Sequence, residues 1–198
     1  MAENQETKLT AWGDESILSS ADPPLYLLAA SVFEGDARAA IETLESVKPA
    51  GAAKLHWRNM TDKQKANSIE AISTVGHQTT IVVASPLKGI KQERARRKCL
   101  VSMLIKLEEM GVSTLFLESR QNALDKRDRD CLMYARRANA VKAIDVEHVR
   151  GENDARLWLP DQVLGAYGEN LRALDRAHRW AKTWAKVMES VEVLNIKL

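Results

Sequence analysis

The sequence lacks the features that would assign a protein of this size to a specialised structural class. Its 198 residues include only two cysteines, five prolines and nine glycines, and no low-complexity run. Cys99 and Cys131 have neither CxxC nor Cys/His zinc spacing, so we expect two reduced, buried thiols. No apolar run reaches the roughly 20 residues of a membrane span. These absences argue against a disulfide scaffold, a structural zinc site, a disordered tail and a membrane protein.

The sequence also lacks a large charge of one sign. Its 29 basic and 27 acidic residues give a formal net charge of +2. Binding to nucleic-acid phosphates needs a local surplus of Lys and Arg, so any such surface must come from how the charges are distributed. The N-terminus is polar and acidic, without the apolar segment of a signal peptide. We therefore expect a cytoplasmic protein that does not bind membranes.

Several common catalytic motifs are missing as well. The glycines form neither a P-loop nor a dinucleotide-binding fingerprint. Ser16 and Ser119 are not set in a Gly-x-Ser-x-Gly elbow. His77, His148 and His178 have no ligand spacing, and we expect them to be structural.

Hydrophobic periodicity predicts an α/β protein. The predicted strands are 9–16, 25–33, 79–87, 114–119 and 144–149. The predicted helices are 36–47, 61–74, 91–110, 122–140 and 160 to about 191, with Asp36 and Thr61 as N-caps of the first two. An opening hairpin followed by alternating strands and helices predicts a central mixed sheet of five or six strands with helices on both faces. We expect one domain, 1–198, with a C-terminal helical extension at 169–198.

Three acidic residues lie where predicted elements begin or end. Asp14 ends the first strand, Glu118 ends the strand 114–119, and Asp161 lies beside Pro160 in the first turn of the C-terminal helix. Loops converge at such positions in α/β sheets, and carboxylate oxygens are the ligands preferred by Mg²⁺ and Mn²⁺. The three acids therefore predict a divalent-metal site, although each taken alone is an ordinary surface acid.

Strand alternation separates Asp14 from its neighbour Glu15, so that only one of them faces the site directly; we choose Asp14. Gly165 and Gly168 follow Asp161 on one helical face. A helix face without side chains indicates one of two roles. The helix packs closely against its neighbours, or it lies close to the sheet so that Asp161 reaches the strand ends.

These motifs resemble a large, mostly uncharacterised bacterial and phage family of ribonuclease H-like proteins, and in particular an actinobacterial-type branch. Family members begin with an Asp-Glu-Ser strand, here 14–16, and end with an Ala-Asp-x-x-x-Gly-Ala helix, here 160–166. The segments 54–58 and 117–120 are also similar, and the resemblance covers residues 9 to 168.

The resemblance implies a ribonuclease H-like fold in which Asp14, Glu118 and Asp161 correspond to the acidic positions of the family. Two departures from the family pattern concern the site. Pro160 stands where alanine is usual, and Lys54 occupies a position that is often acidic, which removes one possible ligand.

Basic and aromatic residues supply further candidates. His56 is a candidate general acid or base, or a histidine held by the backbone. Arg120 is our first candidate for a phosphate-binding residue, and Arg58 is a second. Basic residues also crowd the predicted start of one helix, either as a phosphate-binding surface or as a solvated face: Lys88, Lys91, Arg94, Arg96, Arg97 and Lys98.

Trp180 and Trp184 form an aromatic ridge on the last predicted helix. Such a ridge is typical of a core, of a homodimer contact or of a base-stacking surface.

The pattern as a whole favours a Mg²⁺- or Mn²⁺-dependent nuclease or phosphodiesterase acting on nucleic acid. Asp14, Glu118 and Asp161 would be the metal ligands, with His56 as a further catalytic residue. The alternative is a non-catalytic ribonuclease H-like module that binds nucleic acid or protein.

Overall fold

A computed structural model describes residues 9–87, 92–172 and 180–198. Its six strands are β1 (Leu9–Leu18), β2 (Leu25–Phe33), β3 (His77–Ser85), β4 (Val112–Glu118), β5 (Asp145–Val149) and β6 (Val191–Lys197). Its helices are α1 (Ala37–Ser46), α2 (Asp62–Ile72), α3 (Gln92–Glu109), α4 (Asn122–Arg137), α5 (Trp158–Arg172) and α6 (Ala181–Met188).

The strands form one mixed sheet in the order β5-β4-β1-β2-β3-β6. Strand β2 is antiparallel to β1 and β3, whereas β4 is parallel to β1, β5 to β4 and β6 to β3. Helices α3 and α4 pack on one face, and α1, α2, α5 and α6 pack on the other. The predicted mixed sheet with helices on both faces is confirmed.

Local sequence accounts for the helix starts. The Asp36 carboxylate accepts a hydrogen bond from the Arg38 backbone N–H at 2.8 Å, which caps α1. Thr61 and Gln64 form a reciprocal capping box at the start of α2. Both predicted N-caps are confirmed.

The C-terminal segment corrects the prediction of a helix from 160 to about 191 and of a helical extension at 169–198. Helix α5 ends at Arg172, and after α6 the chain forms β6, which pairs with β3 at the edge of the sheet. Residues 173–179, which include His178, lie outside the described residues, as do 88–91 with Lys88 and Lys91.

Trp180 and Trp184 are buried in the core on the α5 side of the sheet. The ring centroid of Trp180 lies 5.9 Å from that of Trp57 and 6.2 Å from that of Trp184, in edge-to-face geometry. The ridge therefore packs inside the chain, and it does not form an exposed homodimer or base-stacking surface. Cys99 and Cys131 are buried and unpaired, as predicted, and burial raises their pKa values to about 12 and about 11.

The two glycines of α5 have different surroundings. A Cβ at Gly165 would overlap the Trp57 ring, whereas a Cβ at Gly168 would lie 3.5 Å from Leu18 Cδ1, an ordinary contact. Only Gly165 is needed for close packing of α5.

We predict that Gly165→Ala lowers the free energy of unfolding by about 1–3 kcal/mol, because the methyl group displaces the Trp57 ring. The matched control Gly168→Ala should raise it by about 0.5–1 kcal/mol through the lower backbone entropy of the unfolded chain. Urea denaturation of the two variants measures both changes. Equal effects of the two substitutions would contradict this packing.

Candidate functional site

Parallel pairing of β1 with β4 brings Asp14 and Glu118 to neighbouring positions. Trp12 pairs with Phe116 in the register, and the two rings stack with centroids 5.7 Å apart. Asp14 and Glu118 each lie two residues further along, so alternation directs them to the same face of the sheet as these rings. Strand β1 continues past Asp14 to Leu18, so the aspartate lies within the strand and not at its end as predicted.

Asp161 reaches this face from the first turn of α5, where a short 3-10 turn (Trp57–Asn59) holds its carboxylate. His56 Nδ1 lies 3.0 Å from Asp161 Oδ1. The Trp57 backbone N–H and the Gln162 side-chain amide each donate to Asp161 Oδ2 at 2.8 Å. The Trp57 ring lies against Gly165, one turn further along α5. Asp161 is thus a fixed acid and not a mobile surface residue.

Asp14 is the most perturbed carboxyl group of the site. Burial, the charge of Asp161 and then the charge of Glu118 raise the pKa of Asp14 well above its usual value. Asp161 and Glu118 therefore both disfavour the ionised form of Asp14. A hydrogen bond from the Glu15 backbone N–H to Asp14 Oδ1, at 2.8 Å, offsets part of this cost.

Two basic side chains partly neutralise the acids. Lys54 Nζ lies 2.5 Å from Glu118 Oε1, and the two side chains are 30% and 28% exposed. The hydrogen bond with Asp161 raises the pKa of His56. A Cβ at Gly151 would lie 2.7 Å from Glu118 Oε1, so the glycine leaves room for this carboxylate.

Asp14 and Glu118 border a cavity of about 240 Å³. Its lining includes Asp14, Glu15, Lys54, His56, Arg96, Glu118 and Arg120. A second cleft, of about 330 Å³, shares Glu15 and His56 with this cavity and also contains Asp161 and Arg58. The predicted acids, His56 and both predicted arginines therefore line two adjoining depressions.

The two arginines differ in their availability for a ligand. Arg58 is exposed and forms no ion pair with any described residue. Arg120 is only 15% exposed and binds carboxylates: its Nη1 donates to Glu93 at 3.0 Å and its Nη2 to Asp128 at 3.2 Å. Arg58 is the freer candidate for phosphate.

The opposite face of β1 carries a buried ion network. Arg96 donates from Nε and Nη2 to the two carboxylate oxygens of Asp128 at 2.9 and 2.8 Å. Its Nη1 lies 2.5 Å from Glu15 Oε2, which also accepts from the Tyr26 hydroxyl. The choice of Asp14 over Glu15 agrees with this geometry, because Glu15 faces the Arg96 network.

Sequence reasoning missed a second cluster, formed by Asp125, Asp128 and His148. Their possible ligand atoms lie within 4.8 Å of one another, a combination found at no other group of three or more such residues in the described part of the chain. The cluster could hold a metal ion. The spacing of Asp125 and Asp128 on α4 was a signal for it, but His148 comes from β5, which only the fold brings near.

Asp128 in this cluster already has cationic partners. Burial alone would raise its pKa, but hydrogen bonds from His148 and Arg96 hold the pKa of Asp128 below its usual value. Arg120 adds a second guanidinium. The ligand atoms of Asp14, Glu118 and Asp161 are more widely spread. Lys54 pairs with Glu118, whereas His56 and the Trp57 backbone bind Asp161.

Comparison with protein families, curated proteins and solved structures found no match for this chain. Among the described residues, no helix has the length and apolar character needed to cross a bilayer.

We predict that Asp14→Asn stabilises the metal-free protein at neutral pH. The pKa of Asp14 is higher in the folded protein than the usual aspartate value of about 3.9, which applies to the unfolded chain. The free energy of unfolding therefore falls as the pH rises from about 3.9 through the folded-state pKa, because the folded protein disfavours the ionised carboxylate. The variant should therefore have a higher Tm than the parent in EDTA at pH 7, and the difference should disappear as the pH falls towards about 4. Each 1 kcal/mol gained in the free energy of unfolding should raise Tm by roughly 2–4 °C.

Asp154→Asn is the matched control. Asp154 accepts a hydrogen bond from the Trp12 indole at 3.1 Å and pairs with Arg156 at 2.8 Å, so its replacement should lower Tm. A lower Tm for Asp14→Asn at every pH would show that Asp14 is not electrostatically strained.

Proposed function

We propose that this chain is a divalent-metal-dependent phosphodiesterase that acts on nucleic acid through Asp14, Glu118 and Asp161. One observation carries the proposal: Asp14 lies in a cavity wall where two further carboxylates raise its pKa. A partly buried acid repelled by two neighbours favours a cation, and strongly perturbed acids in clefts are typical of functional sites.

The sheet order supports the ribonuclease H-like assignment within the broader α/β class. Three antiparallel strands, β3-β2-β1, continue through β1 into the parallel pair β4-β5. This mixed order, to which β6 adds a sixth strand parallel to β3, agrees with the central mixed sheet that the resemblance implies. Asp14 on the central strand and Asp161 on a later helix agree with the resemblance of the motifs.

Oxygen donors from Asp14 and Glu118 suit one Mg²⁺ or Mn²⁺ ion, although the ligand atoms of all three acids do not lie within 4.8 Å of one another. Asp14 Oδ2 and Glu118 Oε2 accept no hydrogen bond from any described residue, and both belong to residues that line the cavity. Hard divalent cations take oxygen ligands and retain several waters. Lys54 and His56 already partly neutralise Glu118 and Asp161, so the remaining negative charge favours a single ion.

A bound ion would supply Lewis-acid stabilisation of phosphate charge and a water of lowered pKa. The side chains of the chain have separate tasks. His56, oriented by Asp161, holds a proton on its ring that can pass to a departing oxygen. Arg58 binds a neighbouring phosphate from the rim of the second cleft. Arg120, committed to Asp128 and Glu93, maintains the cavity wall instead of binding phosphate.

We predict that the protein binds Mn²⁺ and cleaves a nucleic-acid or model phosphodiester in its presence. Asp14→Asn and Asp161→Asn should each reduce the metal-dependent rate by roughly 100-fold or more, since each removes a ligand and not merely its support. Calorimetric Mn²⁺ titration and a cleavage assay, run on the same preparations, measure both effects.

The matched control is Glu169→Gln, on the same helix as Asp161. Glu169 also accepts a hydrogen bond from Trp57, through the indole N–H at 3.0 Å, and it lines the second cleft with Asp161, but it is not among the acids that raise the pKa of Asp14. This variant should keep metal binding and cleavage. Failure of the unmutated protein to bind either Mg²⁺ or Mn²⁺ would overturn the proposal.

A non-catalytic nucleic-acid- or protein-binding module is the second candidate function. The Lys54–Glu118 ion pair favours it, because an ammonium group then occupies a position that an ion would share. In such a module Lys54 and His56 would neutralise the acids permanently.

Lys54→Gln separates the two functions. In a metal enzyme the substitution frees Glu118, and we predict that the affinity for Mn²⁺ rises severalfold because a competing cation is removed. In a module, neither the variant nor the parent binds Mn²⁺. The same calorimetric Mn²⁺ titration, run on Lys54→Gln and the unmutated protein, distinguishes the two functions.

A further inference from the structure

Helices α3 and α4 enclose a groove of about 550 Å³ on the face of the sheet opposite α5. We call it the α3–α4 groove, and it is lined by Glu93, Arg94, Arg96, Arg97, Arg127, Asp128, Asp130, Cys131 and Tyr134. Its volume exceeds those of the acidic cavity and the second cleft, and it takes no part in the proposed chemistry.

The groove has a surplus of available positive charge. Its three acids are already paired: Glu93 with Arg120 and Arg127, Asp128 with Arg96, and Asp130 with Lys126. Arg94 and Arg97 are exposed, and their side chains form no ion pair with any described residue. Arg94 lies in the first turn of α3, where the helix dipole disfavours cations. Because neither arginine has a carboxylate partner among the described residues, both are free to bind an anion.

An exposed aromatic ring stands on the other wall. Tyr134 is 68% exposed, and it lies two turns along α4 from Arg127, which is 61% exposed. Residues seven apart on a helix share a face. Arginines on one wall opposite an aromatic ring on the other form the combination that binds single-stranded nucleic acid, by phosphate contacts and base stacking.

The groove borders the acidic cavity. Arg96 contributes to the lining of both, and its ion pairs with Glu15 and Asp128 fix the wall between them. Strands β1, β3 and β4 all run in the same direction, so the starts of α3 and α4 lie at the sheet edge where β4 ends in Glu118. A strand bound in the groove therefore lies beside the cavity.

We propose that the α3–α4 groove binds single-stranded nucleic acid, with Arg94 and Arg97 contacting phosphates and Tyr134 stacking on a base. The choice of nucleic acid over another polyanion rests on the proposed function. The groove holds the strand next to the acidic cavity, and its binding requires no metal. Paired bases in a duplex hide their faces from Tyr134, so the groove prefers single strands.

The test is fluorescence anisotropy with labelled single-stranded DNA and RNA oligonucleotides of about 12 nucleotides, in EDTA to prevent hydrolysis. Arg94→Gln combined with Arg97→Gln should weaken binding at least tenfold and reduce the dependence of log K on log salt by about 1.4. Tyr134→Ala should weaken single-strand binding about tenfold, whereas Tyr134→Phe should retain it.

The matched control is Arg129→Gln combined with Arg38→Gln, which removes the same charge from exposed positions outside the groove. Equal losses in both double variants would overturn the proposal, as would insensitivity to Tyr134→Ala. Oligonucleotide binding that depends on the groove, in a protein without metal-dependent cleavage, would support this inference and refute the enzyme. Metal-dependent cleavage, together with oligonucleotide binding that the groove variants do not weaken, would support the enzyme and refute this inference.

Discussion

Repulsion among carboxylates at Asp14 is the constraint on which the account of this molecule depends. Pairing of β1 with β4 sets Glu118 beside Asp14, and the packing of Trp57 against Gly165 holds Asp161 nearby. The fold therefore maintains an arrangement that its own charges oppose, as the raised pKa of Asp14 shows. Lys54 and His56 relieve the repulsion only in part, which is why a further cation is the simplest completion of the site.

The acidic residues on the two faces of β1 have their negative charge compensated in different ways. Glu15 meets a buried guanidinium, and Arg96 and Asp128 form a bidentate pair with every carboxylate oxygen engaged. Asp14, one residue earlier, meets other acids. A network whose charges are balanced by the protein itself is suited to fixing the positions of α3 and α4, whereas an incompletely balanced one is suited to binding an ion. This contrast is why we place the chemistry at Asp14 and not at Asp125, Asp128 and His148, although the ligand atoms of that cluster lie closer together.

Local patterns were enough to predict much of the fold but little of the site's detail. The uncharged run 25–33 identified a central strand, and Asp36 and Thr61 marked helix starts, because these signals lie within a few residues of one another. The sequence pattern did not predict strand β6, even though residues 191–197 largely alternate between apolar and polar. The apolar residues Val187, Met188 and Val191 continue the helical spacing of α6 across the start of the strand. Lys54 pairs with Glu118, and His148 pairs with Asp128. These partners are distant in the sequence and meet only because of the order of the strands, which local sequence patterns do not predict. The glycine face of α5 was recognised, but its contact, the ring of Trp57, was not.

The most direct test of the central claim is the position of Mn²⁺ in crystals of the protein, located by its anomalous scattering. The account predicts one ion bound by oxygens of Asp14 and at least one of its two acidic neighbours, with water completing the shell. An ion bound instead between Asp125, Asp128 and His148, or a well-ordered acidic cavity with no ion at saturating Mn²⁺, would contradict it.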